Sequence, residues 1–108
     1  MSGTTTTPER KTKQQEEVKR QPPYHVILHN DDDHSFEYVI RMLKELFGHP
    51  VELGAVMAME VHTKGKVICC TTSKERAELK QEQIHAFGPD PLIARCSGSM
   101  SATIEPAE

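Results

Sequence analysis

The sequence predicts an α+β fold, a small β-α-α-β-α-β sandwich in which a three-stranded antiparallel sheet is covered by three helices. Three observations carry that expectation. Short β-prone runs stand at Tyr24 to Leu28, Lys66 to Thr71 and Met100 to Ile104. Between them lie longer stretches with helical i, i+3, i+4 spacing, two of which follow one another without a strand between. Finally, 108 residues at 36% hydrophobic content supply one core and little apolar material for a second. Strand order is not legible at this level.

Residues 1–21 contain no Leu, Ile, Phe, Tyr or Trp, and five Lys/Arg against three Glu leave them at +2. They cannot build a core and are expected to form a disordered N-terminal extension, with the folded core at 22–108. The first strand, Tyr24 to Leu28, stops at Asn30, Asp31, Asp32 and Asp33, which break strands and favour turns and helix N-caps. Phe36, Val39, Ile40, Leu43, Leu46 and Phe47 then mark a helix that Gly48, His49 and Pro50 terminate.

A second helix is expected from about Val51 to Gly65, with Leu53, Val56, Met57 and Val61 as its core stripe. Ala58 and His62 are four apart on another face, with Val61 beside them. After the KVICCT strand, Thr72 to Glu75 fits the capping box T-x-x-E and predicts a third, mostly polar helix. Only Ala77, Leu79, Ile84, Ala86 and Phe87 give it an apolar edge, and Gly88-Pro89-Asp90-Pro91 stops it. Leu92 to Gly98 reads as a loop, and Met100, Ala102 and Ile104 alternate with Ser101 and Thr103 as a closing strand.

Several chemistries drop out. Residues 22–108 carry eight basic and thirteen acidic residues, a balance of −5 that disfavours nucleic acid. No apolar run has membrane-spanning length and no signal peptide precedes the domain, so a reducing, cytoplasmic setting is expected. Adjacent Cys69 and Cys70, with Cys96, make neither an even disulfide set nor a Cys-x-x-Cys spacing. There is no Gly-rich phosphate loop, and the Asp31 to Asp33 run lacks the alternating oxygens of a calcium loop. Zinc held by His25, His29, His34 and His62 is conceivable by residue type, but His25 and His29 stand four apart along one strand face. No metal, no cofactor and no catalytic group are therefore expected.

What remains is binding. Asn30 offers a carbonyl oxygen, Asp31 a carboxylate and neutral His62 a ring nitrogen, three acceptors for the three N–H bonds of an ammonium. Phe36, Val39 and Val61 lie beside them. An ammonium next to a bulky apolar side chain describes the first residue of a polypeptide with a free amino terminus. The bland alternative is that Asn30 to Asp33 only fill a turn and cap a helix.

YHVILHNDD, the helix FEYVIRMLKELF, the VHTKGK run, the ERAELK helix and the closing SATIEPA resemble the ATP-dependent Clp protease adaptor family, ClpS, over about residues 23–107. The resemblance implies a non-enzymatic, monomeric adaptor of the bacterial N-degron pathway. It would bind proteins bearing N-terminal Leu, Phe, Tyr or Trp and deliver them to an AAA+ Clp unfoldase of the ClpA or ClpC type with its peptidase; Ala58, at a position where many family members carry Met, leaves room by which Ile or Val are expected to be accepted more weakly. It implies α-amino contacts at Asn30, Asp31 and His62. It implies a hydrophobic pocket at Phe36, Val39, Ala58, Val61 and Met100, a rim at Asp32 and His34, and unfoldase docking through Glu75 and Lys80. The tail corresponds to the extension that engages the unfoldase. Asp33 and His34 replace a frequent aromatic and Thr, Ser35 a frequent Pro, and the Gly88 to Gly98 stretch is longer than usual. The other reading kept open is a regulatory module that retunes the unfoldase without carrying cargo.

Overall fold

The structure, a computed structural model, describes residues 21–107, so the expected extension falls outside the described residues except for Gln21. The elements run β1 (Tyr24–His29), α1 (Phe36–Phe47), α2 (Val51–Lys64), β2 (Lys66–Thr72), α3 (Lys74–His85) and β3 (Ala102–Pro106). This is the expected α+β sandwich. The sheet is antiparallel throughout, in the order β2-β1-β3. β1 takes the centre because Val26, Ile27 and Leu28 give it apolar side chains on both faces, all of them buried. The edge strands alternate instead, as with Val67 and Cys69 inward and Ile68 outward on β2. The β1–β2 register slips between Val26 and Ile27, which pair with Cys70 and Ile68 and leave Cys69 as the extra residue of a bulge.

The helices cover the face that carries Val26 and Leu28, and their buried sides differ from the predicted stripes. On α1, Tyr38 and Met42 are buried along with Val39 and Leu43, whereas Leu46 and Phe47 are only half-buried. On α2, Leu53 and Val56 are 41% and 63% exposed, and the packed side is Gly54, Met57, Ala58 and Val61. That helix is apolar almost all round, so periodicity could not choose its face. The small residues chose it: a Cβ at Gly54 would stand 3.4 Å from Ile40 Cα and Cγ2, so the two helices meet closely there.

Two caps also differ from expectation. The acidic turn does not cap α1, since Ser35 Oγ accepts from Tyr38 N–H at 3.1 Å. Ser73, not Thr72, caps α3 by accepting from Arg76 N–H, and Thr72 ends β2. β3 begins at Ala102, two residues later than predicted, although Met100 is buried as the alternation required. His25 bonds Thr71 on one neighbouring strand and His29 bonds Thr103 on the other. Among the described residues no group of three or more His, Cys, Asp or Glu is arranged to hold a metal ion, and no helix is long and apolar enough to cross a membrane.

Candidate functional site

The corner after β1 is pinned from both sides by backbone bonds. His29 N–H donates to Ser101 O at 3.0 Å, and Asn30 N–H donates to Gly65 O at 2.9 Å. Gly65 ends α2 with φ 88°, in the left-handed region that glycine enters without a Cβ penalty, and its own N–H closes on Val61 O. The left-handed turn thus presents the Gly65 carbonyl to Asn30 and brings the end of β1 against the last turns of α2, where His62 stands.

Asp31 organises the turn. Its Oδ1 accepts from Asp33 N–H at 2.9 Å and from His34 Nδ1 at 2.6 Å. The His34 side chain is 3% exposed and that of Asp31 36%, so the imidazole is inside and the carboxylate faces outward. The hydrogen bonds described for this carboxylate all fall on Oδ1. His62 is exposed and meets Phe36 edge to face, with ring centroids 5.4 Å apart.

Asn30, Asp31, Asp32, His34, Phe36, Val39, Ala58, Val61, His62 and Met100 line one cavity of about 170 Å³. Every residue expected at the amine site, the hydrophobic pocket and the rim is in that lining. Val39, Ala58, Val61 and Met100 are at most 3% exposed and form its floor and walls, while Asn30 and His62 are exposed at its mouth. An apolar cavity of roughly 150 Å³ suffices for benzene, so this one has room for an aromatic ring or a branched aliphatic chain. Chemically, the arrangement is a set of acceptors at the entrance to an apolar hole, suited to a cation attached next to a bulky hydrophobic group.

Met100 closes the other side at the end of an irregular segment from Gly88, and the sequence did not foretell how that segment is held. Tyr38, buried in α1, donates its hydroxyl to Gly88 O at 2.6 Å, and burial pushes the phenol above its usual range, keeping that proton in place. Asp90, 2% exposed, accepts from Ser35 N–H at 2.6 Å and from Leu92 N–H at 2.9 Å. Burial works against its charge, but those donors and the nearby His34 hold its carboxyl below the usual carboxylate range. His34 Nε2 reaches Gly98 O at 2.8 Å, and Arg95 reaches Asp33 Oδ1 and Asp32 O, both at 2.7 Å. Tyr38, Asp90 and Arg95 were missed as positioning residues. The one available signal was Tyr38 and Met42 at helical spacing within an already apolar helix.

The two expected docking residues lie elsewhere, on α3. Glu75 is exposed in its first turn. Lys80 donates to Leu46 O and lies over the Phe47 ring at 5.5 Å from its centroid, so it ties α3 to the end of α1.

The chain is 39% identical over 60 residues to the ATP-dependent Clp protease adapter protein ClpS of Salmonella arizonae, covering 53% of this chain and 57% of that one. It is 35% identical over 51 residues to the ClpS of Desulforapulum autotrophicum, covering 47% and 49%. The chain therefore spans about half the length of the curated relatives it matches. The solved structure of Agrobacterium tumefaciens ClpS2 bound to L-phenylalaninamide superposes with a TM-score of 0.68 at 27% identity, over 80% of this chain and 98% of that one. A family profile described as ATP-dependent Clp protease adaptor protein ClpS matches residues 19–92. The chain belongs to the ClpS family of ATP-dependent Clp protease adaptor proteins.

Proposed function

We propose that this protein is an N-degron adaptor. It binds the free α-amino group and bulky first side chain of substrate proteins and delivers them to an AAA+ Clp unfoldase, of the ClpA or ClpC type, with its peptidase in the bacterial cytoplasm. The observation that carries the reading is the meeting of Asn30, Asp31 and His62 at the mouth of the 170 Å³ apolar pocket. L-Phenylalaninamide, the ligand of the Agrobacterium relative, has the two groups this site would take, an ammonium and an aromatic side chain on the same carbon. The preferred first residues are Leu, Phe, Tyr and Trp, with Ile and Val weaker. Asp31 Oδ2 and the Asn30 carbonyl oxygen accept two of the ammonium N–H bonds, and neutral His62 accepts the third. Phe36 covers the side chain from above, and Asp32 and His34 shape the rim. No group here performs chemistry on the substrate; the work is capture and transfer by a monomer. Glu75 on the open face of α3 and the Lys80 junction offer the unfoldase its docking surface, and the extension at 1–21 serves as the handle that starts delivery.

The test is a titration with short peptides beginning in Phe or Leu beside their N-acetylated forms. Acetylation removes the charge and two donors, so affinity should fall by about 30-fold or more, the equivalent of a lost charge-assisted contact of about 2 kcal/mol. Equal binding of free and acetylated peptides, or binding of neither, would refute the reading and return the regulatory, cargo-free module.

A further inference from the structure

All three cysteines are free, and they occupy opposite environments. Cys69 is 3% exposed on the inner face of β2, where burial first, and the neighbouring Cys70 second, push its thiol up to about 12. Burial also raises Cys70. Both are kept as neutral thiols, the unreactive form.

Cys96 is half-buried beside the amine corner, in a setting of a different kind. Its Sγ lies 3.3 Å from His34 Nε2, while His34 Nδ1 lies 2.6 Å from Asp31 Oδ1. Carboxylate, imidazole and thiol thus form a chain in the order that activates cysteine nucleophiles, with the acid fixing the ring and the ring facing the sulfur. Asp31 Oδ1 holds the ring through Nδ1, and Nε2 stands between Gly98 O at 2.8 Å and the sulfur. The sulfur accepts from Asp90 N–H at 3.1 Å and its thiol donates to Gly98 O at 3.2 Å, so His34 Nε2 is the ring nitrogen placed to take up the thiol proton.

We propose that Cys96 is an activated thiol, assembled by Asp31 and His34, that hydroperoxides oxidise selectively, and that its oxidation unlatches the 88–98 segment from the amine corner. The first half stands on the geometry of the cluster; the second rests on the amine-binding reading above. In the step itself the thiol proton passes to His34 Nε2 and the sulfur attacks one peroxide oxygen. An S–O bond forms as the O–O bond breaks, sulfur gives up two electrons, and the departing hydroxide takes the Nε2 proton of His34 and leaves as water. The sulfenic acid carries an added oxygen at the point where His34 Nε2 and Asp90 N–H approach the sulfur. Those contacts must part, and with them goes the clamp that holds His34 against Asp31.

The test begins with the reduced full-length protein, labelled with iodoacetamide and read cysteine by cysteine by mass spectrometry. Cys96 should react at least about tenfold faster than Cys70, and the ratio should collapse to about one in denaturant. His34→Gln should bring the Cys96 rate down toward that of Cys70. Equal native rates for Cys96 and Cys70 overturn the activation, as does an unchanged Cys96 rate in a His34→Gln protein with native circular dichroism. If that variant does not fold, the native and denatured ratios of the wild type decide alone. In the second arm, hydrogen peroxide should lower affinity for a Phe-initiated peptide about fivefold, the scale of one lost hydrogen bond, with recovery in dithiothreitol. Cys96→Ser, compared with its own untreated value, should not respond. Sulfenylated Cys96 with full peptide affinity overturns the latch. A protein that binds no such peptide before treatment fails the amine-site reading instead, while the labelling ratios still decide the activation.

Discussion

The two walls of the pocket are held by different physics. The helix wall, Val39 of α1 with Ala58 and Val61 of α2, is at most 3% exposed and is held by close packing, a sum of many small non-directional contacts. The opposite wall is Met100, carried at the end of the segment from Gly88, which has no regular structure. It hangs on single directional bonds: Tyr38 to Gly88, Ser35 to Asp90, Gly88 N–H to Ser99 Oγ and His34 to Gly98. Packing of this kind tolerates exchanges that conserve volume, whereas deleting one partner of a buried hydrogen bond strands the other. The helix wall should therefore yield by degrees and the loop wall abruptly, with the corner at Asp31 feeling both.

That corner is where the largest effect is expected. Asp31→Ala removes the charged acceptor proposed for the ammonium and the partner of His34, and should cost about 2 to 5 kcal/mol in affinity for a Phe-initiated peptide by calorimetry. Asn30→Ala and His62→Ala should follow with smaller losses. Undiminished affinity in a folded Asp31→Ala protein would sink the assignment.

Next comes the anchor of the loop wall. Asp90→Ala leaves the Ser35 and Leu92 N–H groups without their acceptor and should cost about 2 to 3 kcal/mol of stability, read as a lowered urea midpoint with unchanged slope. The sign of the pH effect follows from the carboxyl being held below its usual range when folded. Its contribution is complete above the unfolded value near ~3.9 and is lost as pH falls through the lower folded value. The stability gap between wild type and Asp90→Asn should thus shrink on acidification below about pH 4. A gap that stays constant from neutral to strongly acidic pH would show that the charge of Asp90 is not what holds the loop.

The helix wall sharpens the comparison through specificity. Filling it with Ala58→Met should crowd a β-branched first residue more than an unbranched one. Peptides beginning with Ile or Val should then lose about 1 to 2 kcal/mol relative to Leu and Phe, at ~0.8 kcal/mol for each methylene displaced. Identical rankings in both proteins would show that Ala58 does not select the substrate. The smallest effect on binding is expected from the N-terminal residues. Deleting residues 1–21 should leave peptide affinity within about 0.5 kcal/mol of the full chain, as for changes away from the site. It should also abolish degradation of a Leu- or Phe-initiated reporter in the reconstituted protease, and full-rate degradation would mean the extension is no handle.

What the sequence determined alone was whatever is encoded in neighbouring residues. Val26-Ile27-Leu28 followed by four acceptors specified a strand ending in a polar corner, and Gly48 and Gly65 marked the ends of two helices. Seven of the ten residues that line the pocket were legible as well, because a short strand–turn–helix and one face of a following helix carry them, whereas Asp32, His34 and Met100 were placed there only by the family resemblance. Only the tertiary structure decided which side of the uniformly apolar α2 is buried, since that choice rests on how closely Gly54 lets α1 approach. It alone decided the strand order and the loop wall. The bonds that tie that wall to the first helix and its entry turn join residues 50 to 64 positions apart, one donor to one acceptor, and such pairs leave no periodic trace along the chain.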